Sequence, residues 1–251
     1  MALKRIIPCL LLRNNGLVKT IKFKKSTYIG DPINAVKIFN EKEVDELVFL
    51  DIDATRNKQE PSYQLIQDIA SECFMPFCYG GGVKNVEQIR RLIASGAEKV
   101  AINSAAFHNP KLISDAANLF GSSTIVVSVD YKKNLFGKQM VFVEGGRKST
   151  KIDPVSYAIQ MEELGAGELF LNCIERDGTM EGYDVEMVQR IADAVTIPVI
   201  ACGGANDLQD FKKVLQIEGV SAAAGSKFVF QGKKRGVLIS YLDPSEIKSL
   251  T

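Results

Sequence analysis

Eight short apolar runs recur along the chain: RIIPCL at 5–10, ELVFLD at 46–51, MPFCYG at 75–80, EKVAIN at 98–103, TIVVSVD at 124–130, ELFLNC at 168–173, IPVIAC at 197–202 and VSAAAG at 220–225. Amphipathic stretches separate them, the alternation expected of a parallel βα sheet. The clearest helix is VEQIRRLIASG, where Val86, Ile89 and Ile93 space as one apolar face and Gly96 supplies the stop. Eight strands with helices between them predict the α/β class and a closed (βα)8 TIM barrel, a single domain over residues 1–251.

The chain also repeats itself. Pro76-Phe-Cys-Tyr-Gly-Gly-Gly is answered by Pro198-Val-Ile-Ala-Cys-Gly-Gly, and the segment from Leu47 by the segment from Leu169, so the barrel reads as two half-barrels, about 1–120 and 121–251. By the same comparison Leu11, in RIIPCLLLR, is the counterpart of Asp130, in TIVVSVDY. One half ends its first strand in a carboxylate and the other in a leucine.

Composition narrows the partners. At 251 residues, 46% hydrophobic and with a net charge of +1, the chain can bury a large core but carries no overall field for nucleic acid or a membrane surface. The amino-terminal apolar run is too short, and too charged, for a signal or spanning helix, and the protein is read as cytoplasmic. Five cysteines without a CxxC pair argue against a disulfide framework or a zinc site. The single histidine, His108, has no nucleophile to pair with. No metal and no organic cofactor is expected.

Glycines after parallel strands let the backbone approach an anion, and the next helix offers free N–H groups. Gly81 and Gly82, and Gly203 and Gly204, stand in those places; Asn103-Ser104 and Gly225-Ser226 end the fourth and eighth strands with a hydroxyl after a small or polar residue. Two such sites at one mouth predict a ligand with a phosphate at each end, although tight βα turns alone would also use these glycines. Asp51, Asp130 and Asp177 gather carboxylates at strand ends, where barrel enzymes keep catalytic groups. The segment from Arg13 to Gly30, with Lys19, Lys22, Lys24 and Lys25 and no acid before Asp31, reads as a mobile phosphate-covering lid. The segment LFGKQMVFVEGGRK reads as a hairpin. At the opposite face Arg5, Glu46, Lys99 and Glu168 each open a strand. If they point inward they must pair, two of each sign closing a ring, because unpaired buried charge is prohibitively costly, but the residues alone favour ordinary solvated charges at strand ends.

These residues, in this order, resemble the HisF family, the cyclase subunit of imidazole glycerol phosphate synthase. The resemblance runs almost end to end: KRIIPCL, Gly30-Asp31-Pro32, DELVFLDI, PFxxGGG, Asn103-Ser104, VVSVD, GAGE at 165–168, RDGT with GYD, and the late glycine pair. It implies a barrel that receives ammonia from a HisH-type glutaminase docked at the amino-terminal face, past a gate of Arg5, Glu46, Lys99 and Glu168. It likewise implies substrate contacts from Lys19, Asp51, Asn172 and Asp177, with phosphates held by the two glycine pairs, Asn103, Ser104, Gly225 and Ser226. Asp130 matches one catalytic aspartate. Leu11 stands where the family places the other, and a leucine cannot move a proton, a loss that typically costs ~10²- to 10⁴-fold. Asn172 and Cys202 replace usual hydroxyl residues, and the loop DATRNKQEP diverges.

The departures lie on the substrate side and the matches on the gate side. The chain therefore resembles HisF-like barrels of surface-polysaccharide clusters, which are thought to pass ammonia to a separate ATP-dependent sugar amidotransferase that forms an acetamidino group. A phosphorylated small molecule, such as a nucleotide sugar, remains a candidate ligand. The alternatives are a working cyclase of histidine biosynthesis, with Asp51 or Asp177 replacing the missing acid, and the related phosphoribosyl isomerase, which fits RDGT, GYD and GAGE less well.

Overall fold

The computed structural model describes residues 4–232 and 234–250. Its eight parallel barrel strands are β1 (Ile6–Arg13), β2 (Leu47–Asp51), β3 (Phe77–Gly80), β4 (Lys99–Ile102), β5 (Ile125–Lys133), β6 (Glu168–Cys173), β7 (Val199–Cys202) and β8 (Val220–Ala224). They pair in chain order, and β8 closes on β1 with Ala222 opposite Ile6, giving the TIM barrel expected from the sequence. The outer layer consists of α1 (Pro32–Glu41), α2 (Tyr63–Glu72), α3 (Val86–Ala94), α4 (Lys111–Phe120), α5 (Pro154–Glu163), α6 (Val185–Ala192), α7 (Leu208–Leu215) and α8 (Pro244–Leu250).

Strand alternation divides the core in two. Ile7, Cys9, Leu11, Val48, Phe170 and Ile200 fill the barrel interior. Their chain neighbours, among them Leu10, Phe49, Val127 and Leu169, pack outward against the helices. In α3 the buried centre is Ile89 with Leu92, while Val86 and Ile93 lie half-buried on its flanks.

Several motif residues build scaffold. Asp31 accepts from Asn34 N at 3.0 Å and Pro32 opens α1, so Gly30-Asp31-Pro32 is a helix start. The Tyr183 hydroxyl donates to Ala223 O at 2.9 Å, and Asp184 caps α6.

The two long mouth segments are both hairpins. After β1 the chain turns back through Gly16–Thr20, with Val18 opposite Leu11, and returns through Ser26–Gly30. The stretch read as a lid is thus a hairpin whose two arms pair with each other, the first also with β1, carrying Lys22, Lys24 and Lys25 in its turn. The expected second hairpin extends β5 into Gln139–Val143, with Phe142 opposite Asp130. All five cysteines are free, with Cys9, Cys78 and Cys202 lining the barrel interior.

Candidate functional site

At the amino-terminal end of the barrel the four charged residues form a closed ring of alternating sign. Arg5 Nη1 pairs with Glu46 Oε2 and Arg5 Nη2 with Glu168 Oε1. Lys99 Nζ completes it, 3.1 Å from Glu46 Oε2 and 2.8 Å from Glu168 Oε2. Ser221, which the sequence reading missed, accepts from Arg5 Nε at 3.3 Å; it is the second residue of β8, just before Ala222, the partner of Ile6. The two carboxylates are 3% and 5% exposed, whereas the two cations, at 20% and 21%, reach toward the surface. Burial pushes the Glu46 carboxyl up, against the pull of Lys99 and Arg5. Burial also opposes the Arg5 charge, but Glu168 and Glu46 outweigh it and raise the guanidinium. Glu46 Oε1 has no hydrogen-bond partner among the described residues.

The opposite end is the mouth. Asp130, on β5, is 9% exposed and accepts from Asn103 Nδ2 at 3.3 Å and Ser128 Oγ at 3.4 Å. Burial, with a smaller push from the charge of Asp177 and a counter-pull from Ser128, raises its pKa to about 7. A carboxyl poised there can give or take a proton at neutral pH. Ser128 was not foreseen, although it shares side-chain parity with Asp130. Leu11 comes from β1, four strands away in a ring of eight and so on the far side of the barrel. It is 6% exposed and belongs to the interior apolar cluster with Val18, Leu50 and Cys9.

The other mouth carboxylates are tied down. Asp51 has outward parity, and its Oδ1 accepts from the N–H groups of Asp53 at 3.1 Å and Ala54 at 3.0 Å. Asp177 is buried; its Oδ2 accepts from Thr20 Oγ1 at 2.7 Å and Phe23 N at 3.3 Å. Burial raises both carboxyls. Thr20, another residue the sequence reading missed, therefore anchors the first hairpin to the loop after β6. Lys19, one of the lysines of the lid stretch and an expected substrate contact, is 5% exposed and folds inward, its Nζ donating to Cys9 O at 2.7 Å.

Of the two proposed phosphate stations the later one lines a mouth pocket. Gly203, Gly204, Gly225 and Ser226 border it with Lys19 and Asn172. Gly203 and Gly204 have φ of 97° and 105°, and a Cβ at either would collide with a neighbouring carbonyl, Cys173 O or Gly182 O, so both positions need glycine. Two buried polar atoms of residues lining this pocket, Asn172 Oδ1 and Ser226 Oγ, have no hydrogen-bond partner among the described residues. Buried polar atoms are normally satisfied, so this pair fits a ligand. At the earlier station the groups are already used: Ser104 Oγ accepts from Glu144 N at 3.0 Å, Asn103 Nδ2 donates to Ser128 O at 2.9 Å, and Gly82 N approaches Thr55 Oγ1 at 3.4 Å. Gly81 turns at φ 124° against Asp51, where a Cβ would collide with the backbone. His108 lies outside the mouth, 3.3 Å from Glu144. Among the described residues no helix is long and apolar enough to cross a membrane.

Comparison with known proteins follows the same lines. The family profile described as "Histidine biosynthesis protein" matches residues 5–235. The chain is 52% identical over 248 residues, 98% of its length and 99% of the relative's, to hisF2 of Pseudomonas aeruginosa, provisionally named an imidazole glycerol phosphate synthase subunit. It is 48% identical to a HisF of Leptospira interrogans, also provisionally named, over 98% of each chain. It is 43% identical to the imidazole glycerol phosphate synthase subunit HisF of Alkaliphilus metalliredigens, over 92% of this chain and 91% of that one.

Proposed function

The chain belongs to the histidine biosynthesis protein family, among the HisF homologues of imidazole glycerol phosphate synthase, and on that premise we propose that it is the ammonia-conducting barrel of a cytoplasmic glutamine amidotransferase complex. A HisH-type glutaminase docks at the amino-terminal face, over the ring of Arg5, Glu46, Lys99 and Glu168. Ammonia enters there and crosses the apolar interior of Ile7, Val48, Val126 and Phe170. It leaves at the mouth for a separate ATP-dependent sugar amidotransferase, which forms an acetamidino group on a surface-polysaccharide precursor. The lining suits neutral ammonia and resists ammonium, because an unpaired ion among these side chains would lose its hydration.

The observation that carries this reading is Leu11. Ring closure in the family reaction needs two positioned carboxyls, and here Asp130 faces an apolar side chain across the mouth. The substitutes foreseen from sequence are engaged elsewhere, Asp51 with its own loop and Asp177 with the first hairpin. Asp130 and the pocket at Asn172 and Ser226 then bind a phosphorylated ligand without cyclising it.

The test is ammonia-dependent cyclisation of the family's ribonucleotide intermediate by the purified chain beside Leu11→Asp. The expected result is no turnover by the parent and partial recovery in the variant. Turnover by the parent at an ordinary enzyme's rate would instead establish a cyclase with another acid.

A further inference from the structure

Two large apolar side chains stand wholly in solvent at the barrel mouth. Leu135 and Phe136 are 102% and 88% exposed, at the tip of the hairpin that prolongs β5. The tip is nevertheless firmly built. Asn134 Oδ1 accepts from Phe136 N at 2.9 Å and from Lys138 N at 3.0 Å, while Asn134 N donates to Lys138 O at 2.8 Å. A turn held this way displays its side chains at little further ordering cost on binding.

The second hairpin leans on the first: a Cβ on Gly146 would stand 3.1 Å from the Phe23 ring, and the charge of Lys24 is felt at Lys132. Together they carry Lys22, Lys24, Lys25, Lys133 and Lys138, all exposed. Among the described residues no ion pair joins any of the five to a carboxylate. The two hairpins thus carry five lysines outside any ion pair beside an apolar prong, in a chain whose net charge is only +1, with one carboxylate, Glu175, accepting from Lys133 N at 3.0 Å at the base of the second hairpin. A local field of this kind steers an oppositely charged partner.

We infer that the Leu135–Phe136 tip and its lysine rim are the docking surface for the ammonia-accepting enzyme, which offers an apolar socket within an acidic border. The inference rests on the conduit reading above and supplies its missing contact. Ammonia that reaches water at neutral pH is almost wholly protonated, so it must be handed over under cover. A protein seated on both hairpins seals the mouth and holds an acceptor at its exit, whereas a lipid surface would seal it with no acceptor behind.

The experiment measures binding of the barrel–glutaminase complex to the purified sugar amidotransferase by interferometry, with Leu135→Ser/Phe136→Ser and Lys133→Glu/Lys138→Glu beside the parent. Both pairs lie on exposed turn and strand-end positions outside the core. The serine pair is expected to weaken binding about thirtyfold, the loss of a hot spot. The glutamate pair is expected to slow association and flatten its salt dependence. Glutamine-dependent amidine formation falls with the serine pair, while formation from added ammonium and stimulation of the glutaminase stay unchanged. Parent-like binding and transfer by the serine pair would overturn the inference and leave the conduit reading standing. A parent complex that hydrolyses glutamine yet neither binds nor feeds the acceptor would overturn both. Co-sedimentation of the parent with phosphatidylglycerol vesicles, lost in the serine pair and without acceptor binding, would assign the tip to lipid instead.

Discussion

The amino group of Lys19 occupies the space that a side chain on residue 225 would need. A Cβ built on Gly225 would overlap Lys19 Nζ and stand 3.0 Å from Cys9 O, the carbonyl that this ammonium holds. The glycine after β8 is therefore fixed by a lysine reaching in from the hairpin after β1, and the cation is already beside Ser226 and Gly204 on the same pocket.

Gly225→Ala should accordingly fold but push the Lys19 tip off the Cys9 carbonyl. Leaving that buried acceptor unmet costs about 1–3 kcal/mol. The melting temperature should fall by several degrees, and binding of inorganic phosphate followed by calorimetry should weaken at least about tenfold, the loss of one charged contact. Unchanged phosphate binding would mean that the anion does not use this pocket.

Asp130 gives a pH signature. Its folded pKa of about 7 lies above the ordinary carboxylate value of 3.8. The unfolded chain releases this proton near pH 4 and the folded chain only near 7, so stability falls as pH rises between those values and stays reduced above them. Asp130→Asn removes the penalty. The variant should melt higher than the parent at pH 8, by an amount equivalent to about 2–4 kcal/mol, with the difference closing below pH 4. A variant less stable than the parent at pH 8 would show that the hydrogen bonds from Asn103 and Ser128 outweigh burial.

Thr20→Val probes the anchor on Asp177 with little change of shape. It deletes the 2.7 Å hydrogen bond to Oδ2 and leaves Phe23 N and the charge of Lys19. Because the hydroxyl favours the ionised carboxyl, its loss raises the Asp177 pKa further, and the destabilisation should grow with pH toward about 1–3 kcal/mol. Thermal melts at pH 5 and pH 8 measure it; an equal loss at both would place Asp177 in one protonation state throughout.

How much of this site the sequence could disclose depended on whether strand parity decided the matter. The ring was only half legible: Arg5, Glu46, Lys99 and Glu168 stand at the starts of four strands, which by itself favours ordinary solvated charges, and the family resemblance turned that reading toward inward charges that must pair. The same parity, applied to β2, turns Asp51 outward while Leu50 points in. What could not be read lies in the hairpins. A run of lysines around Lys19 does not reveal that cross-strand pairing of Val18 with Leu11 sends Lys19 back into the mouth, or that Thr20 and Phe23 close on Asp177 from far along the chain. The pairing of Ser104 with Glu144 similarly depends on where the second hairpin falls.

The ring at the amino-terminal face should respond unequally to loss of its two signs. Its carboxylates are almost wholly buried, while Arg5 and Lys99 keep a fifth of their side chains in reach of water. Removing Glu168 leaves two cations that can turn outward and hydrate, whereas removing Lys99 strands two buried carboxylates on one guanidinium. Breaking a buried pair by deleting one partner costs about 3–5 kcal/mol, and Lys99→Met should fall at that end while Glu168→Gln costs about half as much or less. The pH dependence should diverge as well. With Lys99 gone the already raised Glu46 carboxyl rises further, so that variant regains stability as pH falls and Glu46 protonates. Urea unfolding of both variants at pH 5 and pH 8 tests this. Equal losses at both pH values would show that the stranded carboxylates are hydrated, and so that the ring lies open to water in the isolated chain.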